Sequence, residues 1–174
     1  MPGLVVDTDL RWHIVRSLAS AGAADEDVVA AELERDPTDA GLRYAAAARA
    51  ARPTAAAKAE AWASIVENDE LPLATMEATM RGFQQPDQEE LLTRYVDPYF
   101  DALEPMWRDR LPEVALAFAE DMYPAAVATH EVVEATDHYL ATHDPAPPVR
   151  RLLLEGQDGV QRLLRARARD AAEP

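Results

Sequence analysis

Apolar side chains recur every three to four positions along most of this chain, and short clusters of Gly, Pro, Asp and Thr cut the runs. That period marks amphipathic helices rather than strands. Leu10, Ile14, Val15 and Leu18 form the inward face of a first predicted helix, capped by Asp7 or Thr8 and stopped by Gly22. A second opens at Asp25 and carries Val28, Val29 and Leu33. The Asp36-Pro37-Thr38 turn closes it, and Thr38 or Asp39 caps a third, about Gly41 to Ala51, with Tyr44, Ala45 and Ala48 inward. Pro53 breaks that helix. Thr54 caps a fourth whose stripe is Ala55, Ala59, Trp62, Ile65 and Val66.

After an Asn68-Asp69-Glu70 loop, Pro72 suits the first turn of a helix with Leu73, Met76 and Met80 on one side. Residues 81–86 are a predicted break, and Asp87 starts a helix through Leu91, Leu92, Tyr95 and Val96. Pro98 and Pro105 interrupt or kink the stretch beyond it. The next helix begins near Pro112, turns Leu111, Ala115, Phe118 and Met122 inward, and ends at Tyr123-Pro124. Thr129 caps a helix that buries Val132, Val133, Tyr139 and Leu140. Beyond a proline-rich loop from His143 to Pro148, a long apolar stripe from Val149 to Leu164 marks the last helix. Gly156 lies within that stripe, where a missing side chain admits a close neighbour, and Asp158 pairs with Arg162 one turn on. The expected fold is therefore all-α. Helix pairs stack antiparallel into a HEAT- or armadillo-like right-handed superhelical array, without a strict sequence period. One helical domain spans 1–174, with 169–174 as a tail.

Composition sharpens this picture. Hydrophobic residues make up 48% of the chain, and alanine, a helix former, dominates them. The formal charge of −15 repels phosphate backbones and argues against nucleic-acid binding. The charge is uneven: residues 149–174 hold six Arg against four acidic residues, which leaves −17 on the preceding 148. With no cysteine there is no disulfide framework or thiolate metal site. No apolar run is long enough for a membrane span, and MPGLVVDTDLRW lacks the features of a signal peptide, so a cytoplasmic location is expected. Lys58 is the one lysine among seventeen basic residues.

Catalytic chemistry finds little support. His130-Glu131-Val132-Val133-Glu134 opens like the HExxH zinc signature, but Glu134 replaces the second histidine. His130, Glu134 and His138 stand on successive turns as weak metal candidates, opposite the apolar stripe of their helix, where a solvated polar face is the simpler reading. Ser17, Ser20 and Ser64 lie in no nucleophile elbow, and the six glycines build no phosphate loop. The arginines of the last helix are interleaved with Glu155 and Asp158, which favours local ion pairs over a lipid or acidic-partner surface. The aromatic residues Trp12, Trp62 and Trp107 are expected to line the core or grooves. Arg81, Phe83, Gln84 and Gln85, in the RGFQQP segment, form a possible interaction surface; the alternative is a structural turn with Phe83 buried.

Four stretches carry a resemblance: DTDLRW (7–12), ELERDPTDAGLRYAAAARAARPTAAAKAEAW (32–62), GFQQPDQEELLTRYVDPYF (82–100) and RRLLLEGQDGVQRLLRAR (150–167). Over about residues 4–168 the chain resembles the C-terminal helical domain of bacterial, actinobacterial-type aminopeptidase N, in the gluzincin zinc metallopeptidase family. GFQQPDQ with its aromatic helix is the most specific part. The resemblance implies a non-catalytic module that follows catalytic and β-sandwich domains, closes over the active site and limits substrate access. It implies no cofactor in this chain, with zinc held by HExxH and a distant Glu in the catalytic domain, and a chain excised from a longer polypeptide. The implied partners are that catalytic domain and peptide substrates, with neither nucleic acid nor membrane. No family catalytic residue maps onto a position here. The alternative is a stand-alone helical-repeat scaffold that binds a protein; a further one is a helical regulator or minor metal protein built on His130, Glu134 and His138.

Overall fold

A computed structural model describes residues 7–172, and all regular structure among them is helical. The described residues fall into two compact units, divided between Gln85 and Pro86.

The first unit contains α1 (Thr8–Ser20), α2 (Glu26–Arg35), α3 (Asp39–Ala51), α4 (Ala55–Val66) and α5 (Leu73–Phe83). Local chemistry sets where the first four begin. A free N–H in the first turn of each is met by a side-chain oxygen of the residue before it. Asp7 accepts from Leu10 N at 2.9 Å, Asp25 from Val28 N at 3.2 Å, Thr38 from Gly41 N at 3.1 Å and Thr54 from Ala57 N at 3.1 Å. Gly22, just past α1, takes the left-handed φ of 72° that glycine adopts without steric cost.

α3 is the centre of this unit. It packs against all four other helices, most extensively α5 and then α1, so its main neighbours lie two helices away in sequence. The contact is close because α3 buries Gly41, Ala45, Ala47, Ala48, Ala50 and Ala51, and no larger residue. At Gly82 on α5 the backbones nearly touch: a Cβ there would sit 2.2 Å from the Ala47 carbonyl oxygen. Trp12 closes the other side. Its indole N–H donates to Asp36 Oδ2 at 2.9 Å, and Thr38 Oγ1 donates to the same carboxylate at 2.8 Å. These two hydrogen bonds, Thr38 first, hold the Asp36 carboxyl below its usual pKa.

Lys58 is wholly buried on α4. Its ammonium donates to the Ala50 carbonyl at 2.7 Å and the Phe83 carbonyl at 2.9 Å, at the C-terminal ends of α3 and α5. Those carbonyls have lost their helical donors and carry the negative end of each helix dipole, so a cation suits them. The Phe83 ring adds a cation–π contact at 5.4 Å. Burial pushes the Lys58 pKa down to about 8.

The second unit begins with a 3-10 turn (Pro86–Gln88), the short α6 (Glu89–Leu92) and another 3-10 turn (Thr93–Tyr95). It continues through α7 (Val96–Asp109), α8 (Pro112–Asp121), α9 (His130–Thr142) and α10 (Pro147–Asp170). Its core is aromatic. Tyr99 stacks on Phe118 at 5.5 Å and meets Phe100 and Tyr123 edge-on at 5.0 and 5.9 Å. The buried hydroxyls find partners: Tyr99 donates to the Ala119 carbonyl at 2.7 Å, and Tyr123 lies 2.9 Å from Thr136 Oγ1. Gly156 on α10 makes room for the Tyr123 ring, which a Cβ would approach to 2.7 Å.

Several expectations from periodicity need correction. α1 turns Trp12, Val15 and Ala19 inward, while Ile14 and Leu18 are 43% and 40% exposed, because the indole must reach Asp36. Val28 on α2 and Tyr44 on α3 are likewise exposed. α4 buries Ala57, Lys58, Ala61 and Ile65 and exposes Ala55 and Ala59, since only that rotation delivers the ammonium to the two helix ends. α5 continues through Arg81 and Gly82 to Phe83 instead of breaking at 81. Residues 86–95 are broken turns rather than one helix; Pro98 has no N–H to return to the Arg94 carbonyl. α7, in contrast, runs through Pro105. Leu111 is exposed because it is the residue before α8, and Leu163 is exposed on α10. Thr129 stands at the start of α9, but its side chain makes no capping bond. The last helix extends to Asp170, so residues 169–170 of the expected tail are helical, and 173–174 lie outside the described residues.

Two stability measurements check this packing. Gly82→Ala loses about 1–3 kcal/mol in urea unfolding, because the new methyl meets backbone. Gly159→Ala, with open space at its Cβ, is neutral or gains up to about 1 kcal/mol. For Lys58 the unfolded chain holds its proton more tightly than the folded one. The charged amine therefore costs stability below pH 8, and the cost fades between pH 8 and the ordinary lysine value of 10.5. Wild-type stability relative to Lys58→Met rises across that window by at most about 3 kcal/mol, read from unfolding curves at each pH.

Candidate functional site

The residues singled out from sequence separate in the structure. His130, Glu134 and His138 are all exposed on α9. Among the described residues, no three His, Cys, Asp or Glu side chains converge to hold a metal ion. In the segment at 81–85 Phe83 is buried, as in the structural-turn alternative, while Arg81 is exposed and Gln84 and Gln85 are half-buried. Phe83 is 1% exposed and packs against Trp62 at 6.2 Å and beneath the Lys58 ammonium. Arg81 is exposed and pairs with Glu77 at 3.8 Å; Gln85 Nε2 donates back to the Gly82 carbonyl at 3.0 Å, which fastens the end of α5. Arg162 pairs with Asp158 at 3.2 Å, as its spacing implies, and Arg151 lies 3.8 Å from Glu155.

A different set comes together in the second unit. α7 presents Glu104 and Trp107 one turn apart, and α9 presents Tyr139 with His143 one turn on, just past the helix end. Because α7 packs against α9, the two faces line one groove of about 660 Å³, closed at one end by Asp144 and the start of α10. Tyr139 stacks on the His143 imidazole at 4.3 Å, with planes 11° apart, and its other neighbour is Phe100 at 5.7 Å. Tyr139 is only 6% exposed, and its hydroxyl has no hydrogen-bond partner among the described residues. Burial raises the Tyr139 pKa, and the Glu104 carboxylate adds to the effect, which places the two groups within electrostatic reach. Trp107 is 36% exposed, against 1% for Trp12. Arg108 on the rim is held by Asp109 through two bonds of 2.8 and 2.6 Å, so its charge is already matched. Glu104 and Asp144 make no ion pair among the described residues.

A second depression of about 700 Å³ adjoins the first through Asp144, Pro145 and Ala146, and runs along α10 past Leu154, which is 45% exposed. Behind the groove the Thr142 hydroxyl lies 2.9 Å from His143 Nδ1, and among the described residues no metal ligands converge. The groove has aromatic walls, two carboxylates without a close ion pair and a phenol, groups that suit binding. The sequence places Trp107 in the core or a groove and Tyr139 on a buried stripe. The spacings of Glu104 to Trp107 and Tyr139 to His143 are visible in it, but the pairing of α7 with α9 is not.

Comparison with known proteins agrees with the resemblance carried by DTDLRW and GFQQPDQ. The family model of the ERAP1-like C-terminal domain matches residues 1–162. Aminopeptidase N of Streptomyces lividans is 51% identical over 170 residues, which is 98% of this chain and 20% of that protein. The chain thus spans about one fifth of the length of the relative it matches. On this match and its all-helical architecture, the chain belongs to the ERAP1-like C-terminal domain family.

Proposed function

We propose that this chain is the non-catalytic C-terminal module of a zinc aminopeptidase that removes N-terminal residues from peptides. In this reading it covers the active site and shapes substrate access, and its partner is the catalytic domain of the same polypeptide. The carrying observation is the 51% identity to an aminopeptidase N over nearly all of this chain but only a fifth of the relative. The side chains support the same division of labour. The zinc that such an enzyme uses does not fit the described residues, whose histidines and carboxylates do not converge. That metal belongs, on this proposal, to the remaining four fifths. Ile14 and Leu18, exposed one turn apart on α1, offer apolar surface for another part of the polypeptide to cover. The net charge of −15 favours approach of a positively charged peptide N-terminus. A cytoplasmic location belongs to this proposal too. Among the described residues, no helix is long and apolar enough to cross a membrane.

Two experiments test the reading. The purified chain, with or without added zinc, leaves aminoacyl-p-nitroanilides intact, and zinc calorimetry gives the same baseline for wild type and His138→Ala; turnover or a saturable zinc isotherm would count against it. In the full-length polypeptide, removal of this domain changes kcat/KM for long peptides relative to dipeptides by about tenfold or more, as expected when a steric cover is lost. An unchanged ratio rejects the access role while leaving family membership intact.

A further inference from the structure

The groove between α7 and α9 holds polar groups that the fold itself does not use. We propose that it binds an arginine side chain presented by an extended polypeptide segment, with the guanidinium lying on the Trp107 indole between Glu104 and the Tyr139 hydroxyl. This inference does not depend on the active-site cover proposed above.

Three features point to a cation. Tyr139, at 6% exposure, is more than nine-tenths buried, yet its hydroxyl reaches the groove with no protein acceptor or donor among the described residues. That hydroxyl is not among the fully enclosed unpaired atoms and opens to the groove, where a ligand N–H can bond to it. Glu104 and Asp144 place two carboxylates without a close ion pair on the same lining; Arg108, within reach of the Glu104 charge, is bonded to Asp109, and Arg150 and Arg151 line only the adjoining depression. Trp107 is partly exposed, although the same chain buries Trp12 almost completely. An exposed indole beside carboxylates offers a face to a cation and acceptors to its N–H groups.

Arginine fits better than lysine. Its planar fork lies flat on an indole and carries five donors, enough to reach a carboxylate and the Tyr139 oxygen together, while an ammonium is a compact and strongly hydrated point charge. The groove volume of about 660 Å³ exceeds what a lone guanidinium occupies. The adjoining depression along α10, with Leu154 exposed and Asp144 to Ala146 shared, continues the path for flanking backbone and an apolar side chain. That continuity selects a polypeptide over a free cation. His143 stacks behind Tyr139 and stiffens the wall.

The test uses ¹⁵N-labelled 174-residue protein and an acetylated, amidated alanine peptide with one central arginine. The expected result is a saturable shift of the Trp107 indole N–H signal, identified by its loss in Trp107→Phe. Replacing arginine by citrulline, which keeps the shape and removes the charge, weakens binding by roughly tenfold or more. Glu104→Gln and Tyr139→Phe each weaken it by roughly three- to tenfold, with thermal melts confirming that both variants fold. The proposal is overturned if the arginine peptide gives no saturable shift, if citrulline binds equally, or if Glu104→Gln leaves the affinity unchanged. Methylguanidinium binding as tightly as the peptide overturns the polypeptide assignment.

Discussion

The first unit depends on how close two backbones can come. α3 carries nothing larger than alanine on its buried surface, and α5 meets it at a glycine, so the helices touch through main chain rather than interlocking side chains. Such contacts have dispersion energy and close fit but little side-chain area to bury. They also tolerate almost no insertion, because backbone cannot rotate out of the way as a side chain can. The same closeness brings the C-terminal ends of α3 and α5 near each other, where unpaired carbonyls of like polarity would repel. Lys58 answers that problem. One ammonium, buried at some cost in desolvation, serves both helix ends and draws the start of the GFQQP segment into place through the Phe83 carbonyl.

The second unit solves the same task with larger parts. Tyr99, Phe100, Phe118 and Tyr123 fill the space among α7, α8 and α9, and the buried hydroxyls of Tyr99 and Tyr123 are satisfied within the fold. Aromatic packing keeps helices further apart than alanine packing does, and the separation leaves a groove where the aromatic core ends at Tyr139. The candidate site is thus a consequence of the packing mode. An alanine interface of the first unit's kind would have closed it.

Helix starts were legible because a cap is local. Asp7, Asp25, Thr38 and Thr54 each bond to an N–H three residues on, and those bonds need no tertiary partner. Buried faces were less legible. The apolar residues of α1 cover more than one face, and the choice of Trp12 and Val15 over Ile14 and Leu18 was made by Asp36, which lies beyond the end of another helix. Lys58 reads as a surface residue in any periodicity argument, because its buried role depends on two distant carbonyls. Pro105 within α7 shows a local rule overruled: the helix gives up one hydrogen bond and keeps its packing, with Leu103 and Met106 both buried.

By itself the sequence determined the all-helical character, most helix starts, the lack of a zinc signature and the family, since each rests on local bonding, composition or order along the chain. Only the tertiary structure decided which faces are buried, that Phe83 is core rather than surface, and that Glu104 and Trp107 share a groove with Tyr139 and His143. The reason is geometric. A helix repeats every 3.6 residues whatever lies beside it, so its neighbours and their unpaired groups, remote in sequence, select the face that turns inward.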